Sequence, residues 1–181
     1  RLLAQAQLII SNIRTAKDLN LTVKMEGFRK FFSIDFGFDS NEETADYFVN
    51  IAKSMVLKAD DQTDAGCLRD VLAGVIGLHS HRDNLVKTTV RNIILTVVRI
   101  PSFNSFVRST EFRRFVWDVL REVGRKAEAT DGLIVEGKTK ELQDTIYALQ
   151  ENLQFLDELC NCSTEDSSRR FVSNSLILVA L

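Results

Sequence analysis

A single proline, Pro101, stands at the end of a long run in which apolar residues recur at helical spacing. Val86, Val90, Ile93, Val97 and Ile100 fall three or four residues apart, and Leu85, Ile94 and Val98 widen the stripe to half the cylinder. The pattern predicts a buried helix stopped by the proline, which lacks an amide hydrogen and pushes the preceding residue out of helical dihedrals. With its one proline placed there, nearly all the rest of the 181-residue chain is free to be helical.

The length suits one domain, or a short stack of helical units, with a substantial core. Charge is nearly balanced, 23 basic against 25 acidic residues, so the chain as a whole is not a generic nucleic-acid binder. Its three cysteines, with Cys160 and Cys162 almost adjacent, make no disulfide framework and point to a reducing compartment. No stretch approaches the roughly 18 consecutive apolar residues of a membrane span. Both ends are apolar and helix-like, Leu2 to Ile13 and Ser175 to Leu181, and read as cut faces of a larger protein.

Along the chain, a first helix is expected over about Leu2–Ile13 and a short one over Leu19–Met25, with Gly27 resetting the backbone. Phe28, Phe31, Phe32, Ile34, Phe36 and Phe38 crowd into eleven residues and are expected to be mostly buried in a core corner. Ser40 to Glu43 has the form of a capping box for a helix carrying Ala45, Phe48, Val49, Ala52, Met55 and Val56 inward, and Asp64 caps the next. Gly74 and Gly77 lie in the buried stripe of that next helix, and mark either a close helix crossing or a weak helix end. Ser80 and Asp83 occupy capping positions before the helix that ends at Pro101.

Beyond it come a short connector over Ser102–Val107 and a helix with Phe112, Phe115, Val116, Val119, Leu120 and Val123 inside, closed by Gly124. Residues 125–137, with two glycines and few anchors, are expected to be an exposed mobile loop. The most regular periodicity follows: Leu142, Ile146, Leu149, Leu153, Leu156 (or Phe155) and Leu159. A turn with Ser163 and Asp166 as caps and a last helix with Phe171, Val172, Leu176, Ile177 and Val179 complete the chain. The expected fold is all-α, one domain over residues 1–181, an armadillo- or HEAT-like antiparallel stack of the solenoid kind.

Reaction chemistry is hard to assemble from these residues. His79 and His81 share one tight turn, while Cys67, Cys160 and Cys162 lie on other elements without zinc-like spacing. The glycines form no phosphate loop, and Glu42 and Glu43 sit in a helix first turn where they complement its positive end. No enzyme, metal or cofactor is expected. The one surface signal is charge segregation: the stretch from Arg82 to Lys126 is rich in Arg and Lys, whereas Asp35 to Asp70 is acidic. Lys87, Arg91, Arg113, Arg114 and Arg121 are the candidate partner-binding basic face, suited to an acidic protein or a phospholipid surface, without the basic–aromatic interleaving that stacks nucleic-acid bases.

With that order of elements, the block Phe36 to Glu43 (FGFDSNEE), then Ala45 to Lys58 (ADYFVNIAKSMVLK) and His81 to Ile100 (HRDNLVKTTVRNIILTVVRI), resembles the FPL domain. That is the helical N-terminal domain of the endolysosomal trafficking and autophagy family that includes the "C-type lectin domain family sixteen" protein. Where the family carries Phe-Pro-Leu, this chain has Gly66-Cys67-Leu68. The resemblance implies an armadillo-like scaffold that works through partner proteins in endosome-to-lysosome transport and autophagy or mitophagy, cytoplasmic and peripheral to those membranes. Ubiquitin-ligase association also attaches to the family, but this chain has no RING spacing of cysteines and histidines. The alternative is a helical-repeat subunit of another assembly, cytoskeletal or nuclear, sharing only the architecture.

Overall fold

A computed structural model describes residues 1–162 except 33, 35, 39–41 and 62. The expected last helix with its caps at Ser163 and Asp166, and Ser40 and Asn41 of the expected capping box, lie outside the described residues. Every regular element among them is helical: α1 (Leu2–Asn12), α2 (Ala16–Val23), α3 (Glu26–Phe32), α4 (Glu42–Lys58), α5 (Ala65–Gly77), α6 (Asn84–Val97), a 3-10 turn (Pro101–Phe103), α7 (Asn104–Val107), α8 (Thr110–Glu136) and α9 (Thr139–Cys162). Where the sequence suggests one domain, the chain divides into two compact units, Arg1–Val107 and a second that begins at Arg108.

In the first unit α4 is the central helix, packed against both α1 and α6. Its Ala45, Phe48, Val49, Ile51, Ala52, Met55 and Val56 are all buried, as the spacing requires. Lys58, in its last turn, reaches across to α1 and donates from Nζ to the carbonyls of Ile10 (2.6 Å) and Ser11 (3.2 Å). A cation thus adds to the closure of α1, where the Ile10 carbonyl already accepts from the Ile13 amide (3.2 Å). Sequence patterning cannot show this, because the two helix ends are 48 residues apart.

Side-chain caps open α2, α5, α6 and α8. Thr15 Oγ1 accepts from the Asp18 amide (3.1 Å) and opens α2 three residues earlier than the apolar pattern suggests. Asp64 Oδ1 accepts from the Gly66 amide (3.1 Å) at the start of α5, and Asp83 Oδ1 accepts from the Leu85 amide (2.7 Å) at the start of α6. Gly27 does not interrupt the chain; it is the second residue of α3. The phenylalanine cluster gathers around Phe48, whose ring centroid lies 4.9 Å from Phe38 and 5.8 Å from Phe32. Only Phe32 of the expected six is fully buried; Phe28, Phe31, Phe36 and Phe38 are half-buried and Ile34 is exposed.

Both readings of the α5 glycines hold, one for each. A Cβ on Gly74 would sit 2.7 Å from Phe48 Cζ, so glycine here permits the close approach of α4 and α5. Gly77 is the last residue of α5, with nothing near its missing Cβ.

Pro101 acts differently from a plain stop. The regular part of α6 ends at Val97, and the next amides tighten to bonds three residues back, Arg99 to Thr96 (3.1 Å) and Ile100 to Val97 (3.2 Å). Ile100 is extended (φ −101°, ψ 115°), as a residue before proline must be, and Pro101 opens the 3-10 turn, where its missing amide hydrogen matters least. Ser102 Oγ ties this turn to the connection between α4 and α5 by donating to the Asp60 carbonyl (3.0 Å).

The second unit is built on a hairpin of α8 and α9. Ser109 Oγ caps α8 by accepting from the Phe112 amide (3.2 Å), and the six expected apolar residues from Phe112 to Val123 are buried. The expected loop over 125–137 is instead the second half of α8, which passes through Gly124 and ends at Glu136. It has few anchors because it leaves the core: no residue from Gly124 to Glu151 is buried. Alanine, lysine and glutamate carry the helix there by intrinsic propensity, with the Lys126–Glu122 pair (3.5 Å) along one side. The true terminator is Gly137, left-handed at φ +69°, with the Gly137 and Lys138 amides donating to Ile134 (3.2 Å) and Leu133 (3.1 Å) in a Schellman closure.

Candidate interaction surfaces

Both histidines are engaged in local backbone contacts. His79 Nδ1 lies 2.8 Å from the Ile76 carbonyl at the end of α5, the geometry of an imidazole N–H capping a helix. His81, buried, accepts the Asp83 amide at Nδ1 (3.1 Å), which leaves Nε2 to carry the proton that faces the Phe38 carbonyl at 3.4 Å. It pins the phenylalanine segment to the α5–α6 turn. Cys160 and Cys162 are half-buried in the last turn of α9, within the second unit. Among the described residues, no three His, Cys, Asp or Glu side chains gather where a metal ion could sit.

Two clefts open on the first unit. One, of about 590 Å³, is lined by Leu2, Leu3, Phe36, Glu43, Thr44 and Tyr47 among others, and one of about 500 Å³ by Thr15, Lys17, Asn20, Lys24 and Asp60 with their neighbours. Among the described residues, neither cleft is lined by a histidine or a cysteine.

The five basic residues singled out by charge fall on two helices in different units. Lys87 and Arg91 are one turn apart and half-buried on α6, the same helix that buries Val86, Val90, Ile93, Ile94, Leu95 and Val97. Arg113, Arg114 and Arg121 are exposed on α8. Arg121 holds Asp118 one turn back at 3.0 Å, an exposed pair that orients the guanidinium more than it stabilises the helix.

The α8 residues form a stripe that also includes Trp117, which the charge pattern alone does not single out. Arg114, Trp117, Arg121 and Arg125 recur at i, i+3, i+7 and i+11, opposite the buried row of Phe112, Phe115, Val116, Val119 and Val123. Trp117, the chain's single tryptophan, is 38% exposed. The available signal was its place: a large aromatic residue outside the apolar period, with arginines three and four residues before it and four after. Tryptophan and arginine together are the residue types enriched at binding hot spots, since both offer large area with directional donors.

No helix among the described residues is long and apolar enough to cross a membrane. What the described residues present is an all-helical chain with amphipathic helices whose outer faces carry the distinctive chemistry. The family model for FPL, described as an uncharacterised conserved protein, matches residues 1–98, more than half of the chain, and the chain belongs to that family. The matched stretch runs from the start of α1 to one residue beyond α6. Comparison with curated proteins and with solved structures gives no significant match.

Proposed function

We propose that the chain is a non-enzymatic helical scaffold that docks other proteins in endosome-to-lysosome trafficking and autophagy or mitophagy, from the cytoplasmic side of those membranes. The observation that carries the proposal is membership of the FPL family over the six helices α1–α6. In it, the helices stack in the armadillo- or HEAT-like manner, whose extended faces serve as binding surfaces. The absence of catalysis is supported by the use of His79 and His81 in backbone contacts. The Arg114, Trp117 and Arg121 stripe of α8 is the docking face, with an acidic protein as its partner: arginines steer the encounter and the indole supplies the apolar contact.

Affinity purification of the full-length protein from cells, compared between wild type and an Arg114→Glu/Arg121→Glu variant, tests the face. Both side chains are exposed, so the fold tolerates the reversal. The expected result is a loss of about tenfold or more in at least one endolysosomal partner, since removing two favourable charges and adding two repulsive ones changes binding by several kcal/mol. An unchanged set of partners assigns docking to another surface.

A further inference from the structure

We infer that the distal part of the α8–α9 hairpin, residues 124–151, is an arm that opens while the base of the hairpin stays folded, with Gly124 as its boundary on α8. Burial stops at the same level on both helices. Val123 is the last buried residue of α8 and Asn152 the first of α9, about equally far along the chain from the turn at Gly137. On the base side of that level lies a core in which Phe115 meets Phe155, ring centroids 6.0 Å apart. On the other side Leu133, Leu142 and Leu149 are only half-buried, and Val135 is 87% exposed.

A helix in water owes most of its stability to burying one face, and a stretch shorter than about 12–15 residues is marginal without that burial. The two stretches of the arm, 124–136 and 139–151, are about that length. The α8 stretch is weakened further by Gly124 and Gly132, which lose the most backbone freedom on folding, and nothing lies within 4 Å of either Cβ position. Thr130 Oγ1 donates to the Lys126 carbonyl (2.9 Å) and Thr145 Oγ1 to the Glu141 carbonyl (2.8 Å), each one turn back in its own helix. Lys138 Nζ bridges Glu136 (2.8 Å) and Glu141 (3.9 Å) at the turn. These bonds tie the arm to itself and not to the base. Opening the arm therefore wets little surface that is now dry, whereas opening the base uncovers an aromatic core.

The arginine stripe of α8 crosses the boundary: Arg114, Trp117 and Arg121 stand on the base, and Arg125 on the arm. Opening shortens the stripe by its last arginine, so the arm sets how long an acidic partner the face can engage. This consequence rests on the docking role proposed above; the opening itself does not, and the exchange experiment needs no partner.

Native-state hydrogen exchange of the full 181-residue chain in low urea tests the arm. Amides of residues 126–136 and 143–151 are expected to exchange at least about tenfold faster than those of 114–123 and 155–160, with a shallower dependence on urea because their opening exposes less surface. A Val116→Ala variant should speed exchange in the base by about tenfold or more and leave the rates of the arm unchanged, since Val116 stays buried when the arm alone opens. Arm and base exchanging with the same rates and the same urea dependence overturn the proposal. So does an arm that speeds up in step with the base in the variant. Should the variant fail to fold, the urea dependence of the unmodified chain decides by itself.

Discussion

Replacing Gly74 by alanine should destabilise the first unit, against the direction that helix propensity alone dictates. In an open helical position, Gly→Ala stabilises by up to about 1 kcal/mol, because alanine loses less conformational freedom on folding. At Gly74 the new Cβ would lie 2.7 Å from Phe48 Cζ, and that ring is 2% exposed and hemmed in by Phe38 and Phe32. Restoring ordinary contact requires a ring shift of about 1 Å in a packed cluster, an overpacking strain of about 1–3 kcal/mol. The net change is then about 1 kcal/mol of destabilisation, while leucine, with three further carbons in the same space, should exceed about 3 kcal/mol. Gly132 supplies the control: it is exposed on α8 with nothing within 4 Å of its Cβ position, so alanine there should stabilise by about 0.5–1 kcal/mol. Urea denaturation followed by circular dichroism, with hydrogen exchange to locate the effect in α4 and α5, reads the difference. A Gly74→Ala chain as stable as, or more stable than, wild type would refute the close crossing.

Lys58→Met should cost about 1–2 kcal/mol by removing the charge-assisted bonds that close α1, and exchange should accelerate at the C-terminal turn of α1 before it does in α4. Gly137→Ala forces a Cβ into a left-handed backbone at φ +69° and should cost about 1 kcal/mol. Its effect should appear as faster amide exchange across residues 133–142, with no change in the first unit.

The parts of the fold that were legible in the sequence are those whose signal is local. The buried stripes of α4, α6 and the first half of α8 are given by apolar period, and Asp64 and Asp83 announce their helices because a cap bonds an amide only two residues away. Residues 125–137 read as a loop because two glycines and sparse apolar residues look the same in a loop and in a helix that has left the core. Gly137 was the better terminator, but only its left-handed φ distinguishes it from Gly124 and Gly132. Pro101 fixed Ile100 as extended, yet the regular helix loosened three residues earlier, so proline marks a boundary more sharply than it marks the last helical bond. Charge groups Lys87, Arg91, Arg113, Arg114 and Arg121 together; that the first two lie on α6 and the other three on α8, in the other unit and beside the exposed Trp117, is read only from the structure. The leucine row of α9 is plain as periodicity; that Leu156 and Leu159 are buried while Ile146 and Leu153 are exposed is a property of the packing.

The central functional claim is tested most directly by locating the full-length protein in cells by fluorescence imaging at endogenous level, together with endolysosomal and autophagosomal markers. The scaffold described here should coincide with those membranes and should leave them when Arg114 and Arg121 are reversed to glutamate. Steady residence in the nucleus or on the cytoskeleton, with no overlap with endolysosomes or autophagosomes, would contradict it.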